Sequence, residues 1–302
     1  MSARQAPADV LRRDELVERD GILHRADASD ASDYRRRWED EAAEDHVRSA
    51  IAADTTGPID LAALTAKTSS LWDRVPQGSH FETVLELGAG YGRIPLYLAT
   101  ERRCTWSTYC AIDISENMLR RFVEYDERFG RNPEADLHPI RASADALPLE
   151  DGSVDLALTS AVFLHMGKSF VERAVAEVAR TLKPGGAFVF DVSFPNARNP
   201  LSWPPRLKPR RLRPPHFMKY WRREEVEELL VDTGLAAKAG GFSLEPVDFR
   251  LLPKRLGPLP VPLAERVNAA VGPSPRRFRD VLGTRFNTYS TGLLDTRTTL
   301  AR

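Results

Sequence analysis

Short apolar runs alternate with amphipathic stretches through the middle of this chain. Apolar runs cover residues 83–87, 106–112, 137–141, 154–159 and 187–192, and each has the length of a buried strand. The stretches between them are compatible with helices, so the pattern predicts strands alternating with helices. This order favours an α/β fold in which helices cover both faces of a parallel sheet.

The clearest helix lies between the fourth and fifth runs. Apolar residues repeat at helical spacing from Val171 to Leu182, and Ser169 with Glu172 predicts a capping box at the start. The sequence Lys-Pro-Gly-Gly at 183–186 predicts where this helix ends.

Two further strands are expected near the carboxyl end of the chain. They cover residues 235–244 and, as an antiparallel last strand, residues 284–296; a helix at 220–230 that stops at Gly234 precedes them. Together with the five central runs they predict a mostly parallel, doubly wound sheet of seven strands.

The amino-terminal part of the chain is more polar. Residues 1–33 contain a hairpin-like stretch around Asp20-Gly21, a tight-turn pair, and we expect a loosely attached arm there. Residues 34–53 and 61–72 follow as N-terminal helices that pack on the core. The first of them could instead close over a cofactor pocket.

A glycine-rich turn carries the first chemical signal. Residues 84–93 read VLELGAGYGR, and a strand that feeds such a turn brings backbone N–H groups against a nucleotide-like cofactor. Asp113 ends the next apolar run, where its carboxylate could accept both hydroxyls of a ribose. The G-x-G-x-G spacing at 88–92 differs from the dinucleotide-binding G-x-G-x-x-G, which disfavours a dinucleotide.

These features and two more motifs resemble the class I S-adenosylmethionine-dependent methyltransferases. Residues 142–157, ASADALPLEDGSVDLA, look like the adenine-contact segment of that family, and residues 177–190, EVARTLKPGGAFVF, look like its late helix-turn-strand. The resemblance covers residues 84–190. It implies a Rossmann-like fold with S-adenosyl-L-methionine as the cofactor.

The resemblance also implies which residues contact the cofactor. Glu86 would order the turn and the ligand's amino group, Asp113 would hold the ribose, and Asp145 would face the adenine amino group. The full implied set is Glu86, Gly88, Ala89, Gly90, Arg93, Asp113, Ile114, Met118, Ala144, Asp145, Ala146 and Ser160.

His165, just after the fourth strand, is the candidate general base, because its ordinary pKa suits proton abstraction near neutral pH. The alternative is a histidine that packs and donates hydrogen bonds beside the cofactor. On the acceptor side we expect contacts from a basic, proline-rich loop and the residues that follow it. The candidates there are Arg206, Arg210, Arg211, Arg213, His216 and Tyr220.

The resemblance divides the chain into three parts of one elaborated domain. Residues 1–80 form the arm and helices, residues 81–194 the cofactor-binding core, and residues 195–302 a lid loop, an acceptor-side insertion and the final strands. Seven prolines exclude regular structure at 195–215. Residues 196–302 hold 20 of the 43 basic and 10 of the 43 acidic residues, which indicates an anionic acceptor or only a solvated basic lid.

Composition limits the remaining classes. Two cysteines exclude a disulfide framework and a zinc site of the CxxC type, so we expect no metal. The chain begins without an apolar signal region and lacks a membrane-length apolar run, which predicts a cytoplasmic protein with no membrane partner. Nucleic acid is not favoured as a substrate, because the segment after the fourth strand lacks the Asn/Asp-Pro-Pro-Tyr pattern.

The sequence therefore predicts an enzyme that transfers the methyl group of S-adenosylmethionine to a small-molecule acceptor, in specialised metabolism, by in-line displacement. One alternative is an enzyme of the same fold that retains the cofactor and catalyses a cyclisation or rearrangement. Another is a non-catalytic protein that binds S-adenosylmethionine.

Overall fold

A seven-stranded sheet forms the centre of the protein. A computed structural model describes residues 10–25, 59–65, 75–129, 135–194 and 221–242, with 263, 266, 267, 270, 286 and 287. The strands of the sheet are β1 (Leu16–Arg19), β2 (Ile22–Arg25), β3 (Ser79–Leu87), β4 (Cys104–Asp113), β5 (Asp136–Arg141), β6 (Val154–Thr159) and β7 (Leu182–Phe190). Their spatial order is β1-β2-β5-β4-β3-β6-β7, and every pair is parallel except β1 with β2. The predicted mostly parallel, seven-stranded α/β sheet is confirmed.

The five predicted central runs form β3 to β7. Strand β6 has the predicted bounds, whereas β3 begins earlier at Ser79 and β7 earlier at Leu182. Because these strands are parallel, their carboxyl ends meet at one edge of the sheet. The glycine turn, Asp113 and the segments after β5, β6 and β7 therefore lie on the same side of the molecule.

Helices cover both faces of this sheet. They are α1 (Leu61–Thr65), α2 (Arg93–Thr100), α3 (Glu116–Phe129), α4 (Lys168–Thr181), α5 (Arg223–Asp232) and α6 (Leu235–Ala239). Adjacent residues of β3 belong to different cores: Val84 packs in one buried cluster with α2 and α3, and Leu85 in another with α4, α5 and α6. The alternation places each core on its own face of the sheet. None of the described helices is long and apolar enough to cross a membrane.

Helix α4 is confirmed, but its predicted capping box is wrong. The helix begins at Lys168 with Gly167 as the N-cap, and no side chain caps it. Ser169 therefore lies inside the first turn, two residues after the position at which a side chain could cap the helix. The apolar side of the helix, from Val171 to Val178, is fully buried as predicted.

The amino-terminal hairpin is not a loosely attached arm. Its turn at Asp20-Gly21 is confirmed, because β1 and β2 pair antiparallel with Arg19 opposite Ile22. Strand β2 also pairs in parallel with β5, with Leu23 opposite Ile140, and so extends the main sheet. Ile22 is 1% exposed, which explains the docking: the hairpin buries apolar surface that it could not bury alone.

The antiparallel strand of this sheet is β1, the first strand in the chain, and not a last strand at residues 284–296 as predicted. The strand predicted at residues 235–244 also needs correction. Residues 235–239, predicted as strand, form helix α6, because Leu-Ala-Ala-Lys-Ala has high helix propensity between the left-handed glycines Gly234 and Gly240. Of the expected last strand, Phe286–Asn287 form β9 and pair with β8 (Ser193–Phe194) in a separate small sheet. The remainder of 284–296 and the helix predicted at 34–53 lie outside the described residues.

Candidate functional site

The glycine turn between β3 and α2 has a backbone that requires glycine. Gly88, Gly90 and Gly92 have φ angles of +66°, +54° and +83°, in the left-handed region. A Cβ at Gly88 would overlap Cγ2 of Val162, which follows β6, whereas a Cβ at Gly90 would meet no heavy atom within 4 Å. The turn therefore packs tightly at its first glycine and borders open space at its second.

Asp113 joins this turn to the end of β4. The Gly90 N–H donates to Asp113 Oδ2 over 2.8 Å, and the Ser115 N–H donates to Oδ1 over 2.8 Å. The Ala89 N–H donates to the Ile112 carbonyl at 3.0 Å. These two contacts fix the Asp113 side chain, and a carboxylate oxygen can accept more than one hydrogen bond, so they do not by themselves exclude a ligand.

Glu86 is buried inside the sheet beneath the glycine turn. It is 1% exposed, and the Tyr109 hydroxyl on β4 donates to its Oε2. Tyr109 in turn packs against the rings of Trp106 and Phe122, at centroid distances of 5.1 and 6.1 Å. A buried polar group needs a hydrogen-bond partner, and the Tyr109 hydroxyl supplies one for Glu86.

The loop after β6 contains Ser160, and it is held by a residue that the sequence analysis missed. Asp191, directly after β7, accepts hydrogen bonds from the Ser160 hydroxyl at 3.1 Å and from the Ala161 N–H at 2.8 Å. Burial raises the pKa of Asp191, although these two hydrogen bonds and the positive charge of Arg93 act in the opposite direction. Ala161 has a φ of +62°, an uncommon conformation for alanine, and Asp191 stabilises it.

A signal for Asp191 was present in the sequence. It is an acidic residue that directly follows the apolar residues 187–190, as Asp113 follows the run 106–112, but the predicted strand extended to Val192 and so enclosed it. The parallel sheet brings both carboxylates to the same edge, on either side of the glycine turn. Ser160 and Arg93, both predicted cofactor contacts, lie near Asp191.

His165 lies at the end of a short 3₁₀ turn, Phe163–His165, that follows the same loop. Its backbone N–H donates to the Val162 carbonyl at 3.0 Å, and its side chain is half-buried. Phe163 is fully buried against Phe188 and Phe190 of β7. The aromatic cluster fixes the turn that presents His165.

The segment from Ala142 to Leu149, called here the β5–β6 segment, contains the residues predicted to face adenine. Ala144 is 7% exposed. Asp145 accepts from the Ser143 hydroxyl and from the Arg173 guanidinium of α4, whose Nε and Nη2 lie 3.0 and 2.8 Å from Oδ2. The Ala146 N–H donates to the Ser143 carbonyl at 3.1 Å, which closes a tight turn.

Ile114 and Met118 lie near this segment, at the entry to α3. Met118 is 3% exposed, and its N–H donates to the Ser115 hydroxyl. The Ile114 carbonyl accepts from Arg141 at 3.4 Å. The predicted acceptor residues Arg206, Arg210, Arg211, Arg213, His216 and Tyr220 all lie outside the described residues.

The described residues fit an adenosine-containing cofactor. Left-handed glycines give backbone access beside Gly90, a fixed carboxylate stands at Asp113, and the β5–β6 segment lies at the neighbouring strand end. The structure thus brings the predicted cofactor residues to one edge of the sheet, in the order that the strands impose. At the same edge, Asp191 holds the loop after β6 and Val162 of that loop packs on Gly88.

Comparisons with known proteins show that this part of the chain is similar in sequence to methyltransferases. Residues 85–190 match a family model described as a methyltransferase domain. The chain is 39% identical over 124 residues to dimethylglycine N-methyltransferase of Parasynechococcus marenigrum, covering 40% of this chain and 39% of that protein. It is 34% identical over 108 residues to malonyl-[acyl-carrier protein] O-methyltransferase of Methylococcus capsulatus, covering 35% and 36%. The chain thus spans less than two fifths of the length of these curated relatives.

Among solved structures, the chain is similar to geranyl diphosphate C-methyltransferase from Streptomyces coelicolor A3(2), determined with Mg²⁺, geranyl diphosphate and S-adenosyl-L-homocysteine. The TM-score is 0.52 with 14% sequence identity, and the match covers 87% of this chain and 100% of that one. At this identity the likeness concerns the fold.

Proposed function

We propose that this chain, whose residues 85–190 match a methyltransferase domain, is a class I S-adenosylmethionine-dependent methyltransferase that transfers the methyl group to a small-molecule acceptor in specialised metabolism. The observation that carries the proposal is the hydrogen bond from the Gly90 N–H to Asp113, inside the matched domain. It ties the glycine turn to the carboxylate assigned to the ribose. Residues 81–194 would bind the donor, and residues 195–302 would cover the acceptor.

The chain's own work in this reaction is positioning. S-adenosylmethionine supplies a methyl group that is already activated on a sulfonium, so the protein must align the acceptor, exclude water and remove a proton where the acceptor has one to lose. Asp113 would accept the ribose hydroxyls, while the Gly90 N–H keeps its carboxylate in place. Glu86, fixed by Tyr109, would order the glycine turn.

His165 is the proposed general base. Its turn directly follows the loop that Asp191 holds, and Val162 of that loop packs on Gly88 of the glycine turn. The base would thus stand next to the donor side of the site. Substitution of His165 by Gln should lower kcat by roughly 10²-fold while leaving cofactor affinity nearly unchanged.

An anionic acceptor is the proposed substrate class. The curated relatives are named for dimethylglycine and for malonyl-acyl carrier protein, and both of these acceptors carry a carboxylate. Arg206, Arg210, Arg211 and Arg213 lie in the proposed lid, and arginine pairs with carboxylate through parallel hydrogen bonds. Replacing Arg210 and Arg211 together by Gln should raise the acceptor KM at low salt and have less effect at high salt, because ions screen the wild-type attraction.

The test combines binding and transfer. The chain is incubated with methyl-labelled S-adenosylmethionine and one of three acceptors: dimethylglycine, its methyl ester, which lacks the carboxylate, or malonyl-acyl carrier protein. Label in the acceptor is then measured. We expect transfer to a carboxylate-bearing acceptor and less to the ester. Transfer of the label to the ester but to neither carboxylate-bearing acceptor would contradict the proposal of an anionic acceptor.

The same assay separates the rival functions. If S-adenosylmethionine binds and an extract of small metabolites is chemically changed without gaining label, the chain is a cyclising or rearranging enzyme. Binding without any turnover supports a non-catalytic protein. Absence of S-adenosylmethionine binding in calorimetry would overturn the proposal as a whole.

A further inference from the structure

The β5–β6 segment leaves the sheet after β5, and its backbone groups need partners outside the sheet. On one side of the segment, side chains of α4 supply these hydrogen-bond partners. The Leu147 N–H donates to Glu177 Oε2 at 2.8 Å, and the Arg180 guanidinium donates to the carbonyls of Leu147 and Leu149 at 2.9 and 2.8 Å. These contacts hold the carboxyl-terminal half of the segment.

The amino-terminal hairpin supplies partners on the other side. Because β2 is parallel to β5, its last residue, Arg25, lies at the same carboxyl edge of the sheet as the segment. Arg25 Nη1 donates to the Ala146 carbonyl at 2.6 Å, and its Nε lies 3.4 Å from Glu15 Oε2. The Arg25 side chain is only 18% exposed, so this charge-assisted hydrogen bond is largely shielded from water.

The residues that precede the hairpin add a second connection. Leu11 forms an antiparallel bridge with Leu149, flanked by hydrogen bonds from the Arg12 N–H to the Pro148 carbonyl and from the Glu150 N–H to the Val10 carbonyl. Leu11 is 3% exposed and belongs to the same buried cluster as Leu147 and Leu149. Residues 10–25 therefore line the side of the β5–β6 segment opposite α4.

We infer that residues 10–25 position the adenine-contact part of the β5–β6 segment, and that Arg25 is the positioning residue. This inference rests on the proposed function, because the proposed function is what assigns the adenine of the cofactor to the β5–β6 segment. Arg25 contacts the Ala146 carbonyl, one residue after Asp145, so it fixes the main chain where the nucleobase is assigned. An N-terminal hairpin thereby controls the affinity of a cofactor that the catalytic core binds.

The experiment measures ligand affinity in the full chain by calorimetry, with S-adenosylhomocysteine and with 5′-methylthioadenosine, which lacks the amino-acid end. Arg25→Gln should raise the Kd of both ligands by the same factor, roughly tenfold, the scale of one lost charge-assisted hydrogen bond. Arg25→Lys keeps a donor and a charge, and it should recover part of the loss. Arg19→Gln, on the exposed strand of the same hairpin, is the matched control and should leave both Kd values unchanged.

The outcomes separate positioning from a purely structural role. If Arg25→Gln lowers Tm but binds both ligands with wild-type Kd, the inference is overturned. A loss confined to S-adenosylhomocysteine would also overturn it, because the effect would then lie at the amino-acid end. Should Arg25→Gln fail to fold, Glu15→Gln removes the carboxylate beside Arg25, and its Kd should rise about two- to threefold; an unchanged value overturns the inference.

Failure of the proposed function gives a different result. If the wild-type chain binds neither ligand, the proposed function is wrong and the role of Arg25 falls with it. If the wild type binds both and the Arg25 variants match it, only the positioning role is wrong.

Discussion

The glycine turn and the β5–β6 segment both offer main-chain atoms to the proposed cofactor, but they are stabilised in different ways. The glycine turn depends on shape: its φ angles are positive, and Gly88 packs against Val162 with no room for a side chain. The β5–β6 segment depends on charge: Arg25, Arg180 and Glu177 bind its backbone from both sides. Steric constraints respond little to salt or pH, whereas ionic ones respond to both.

The strongest test of this difference is Gly88→Ala. We expect it to lower the free energy of unfolding by about 2–4 kcal/mol, from left-handed strain together with overlap at Val162. Urea denaturation at low and high salt should give the same loss. Gly78→Ala is the control, because Gly78 has a φ of +79° with no heavy atom within 4 Å of its Cβ position and so isolates the strain. Equal losses in both variants would show that Val162 does not impose the requirement.

The next effect concerns Asp113, which links the turn to the ribose position. Asp113→Ala should weaken S-adenosylhomocysteine binding by about 1–3 kcal/mol, because a charge-assisted contact and the anchor of Gly90 are lost together. Calorimetry on the folded variant measures this. Asp136→Ala, at the exposed start of β5, should bind normally. An Asp113 variant with unchanged affinity would refute the ribose assignment.

The ionic side of the comparison is tested by Glu177→Gln. Burial acts to raise the pKa of Glu177, but hydrogen bonds from Arg180 and the Leu147 N–H outweigh it, and the pKa lies below its ordinary value of 4.5. A lowered folded-state pKa means that the ionised carboxylate stabilises the fold above pH 4.5 and that this contribution is lost as the pH falls through the lowered value. The variant should be less stable by about 1–2 kcal/mol at pH 7.

The pH profile of unfolding decides that prediction. The difference between wild type and Glu177→Gln should shrink on acidification, whereas the loss in Gly88→Ala should stay constant. Glu172→Gln, an exposed change on the same helix, provides the control. A Glu177→Gln difference that is the same at pH 7 and pH 3 would contradict the ionic account of the segment.

The smallest expected effect is that of Arg173→Gln. Arg173 contacts Asp145, but its side chain is 57% exposed, and exposed ion pairs contribute about 0.5 kcal/mol or less. Stability and cofactor affinity should change by no more than this, and the change should disappear at high salt. A larger loss would mean that Arg173, rather than the backbone contacts, orients Asp145.

The sequence predicted those elements of the fold whose signal lies within a short stretch of the chain. The central strands and α4 could be read from apolar runs and helical periodicity, and the turn at Asp20-Gly21 from its residue types. The docking of β2 beside β5 could not, because pairing between distant strands depends on register and on buried surface that no single window displays. The strand predicted at 235–244 was wrong over residues 235–239, which form α6, because the periodicity of so short a stretch does not separate a strand from a helix.

In the candidate site, too, some residues could be predicted from the sequence, whereas their contacts with distant elements could not. Asp113 could be placed because it ends a strand that leads to the carboxyl edge of the sheet. Asp191 directly follows β7 in the structure, but the predicted strand extended to Val192, so the apolar pattern placed Asp191 inside the strand and not at its end. The partners of Asp145 and Ala146, namely Arg173 and Arg25, come from elements distant in sequence, so only the folded chain brings them together.

The pairing of β2 with β5 also has a consequence for the order of folding. The hairpin precedes the other strands of the sheet along the chain, yet Leu23 pairs with Ile140, so β2 cannot join the sheet until β5 exists. Closing so long a loop has a high entropic cost, which favours docking after the sequential strand-helix units have formed. Contacts made after the folding transition state affect unfolding rates most, so shortening Ile22 to Ala should accelerate unfolding and leave the refolding rate nearly unchanged. The hairpin precedes strands β3 to β7 in the chain, yet it would be among the last parts of the sheet to reach its native position.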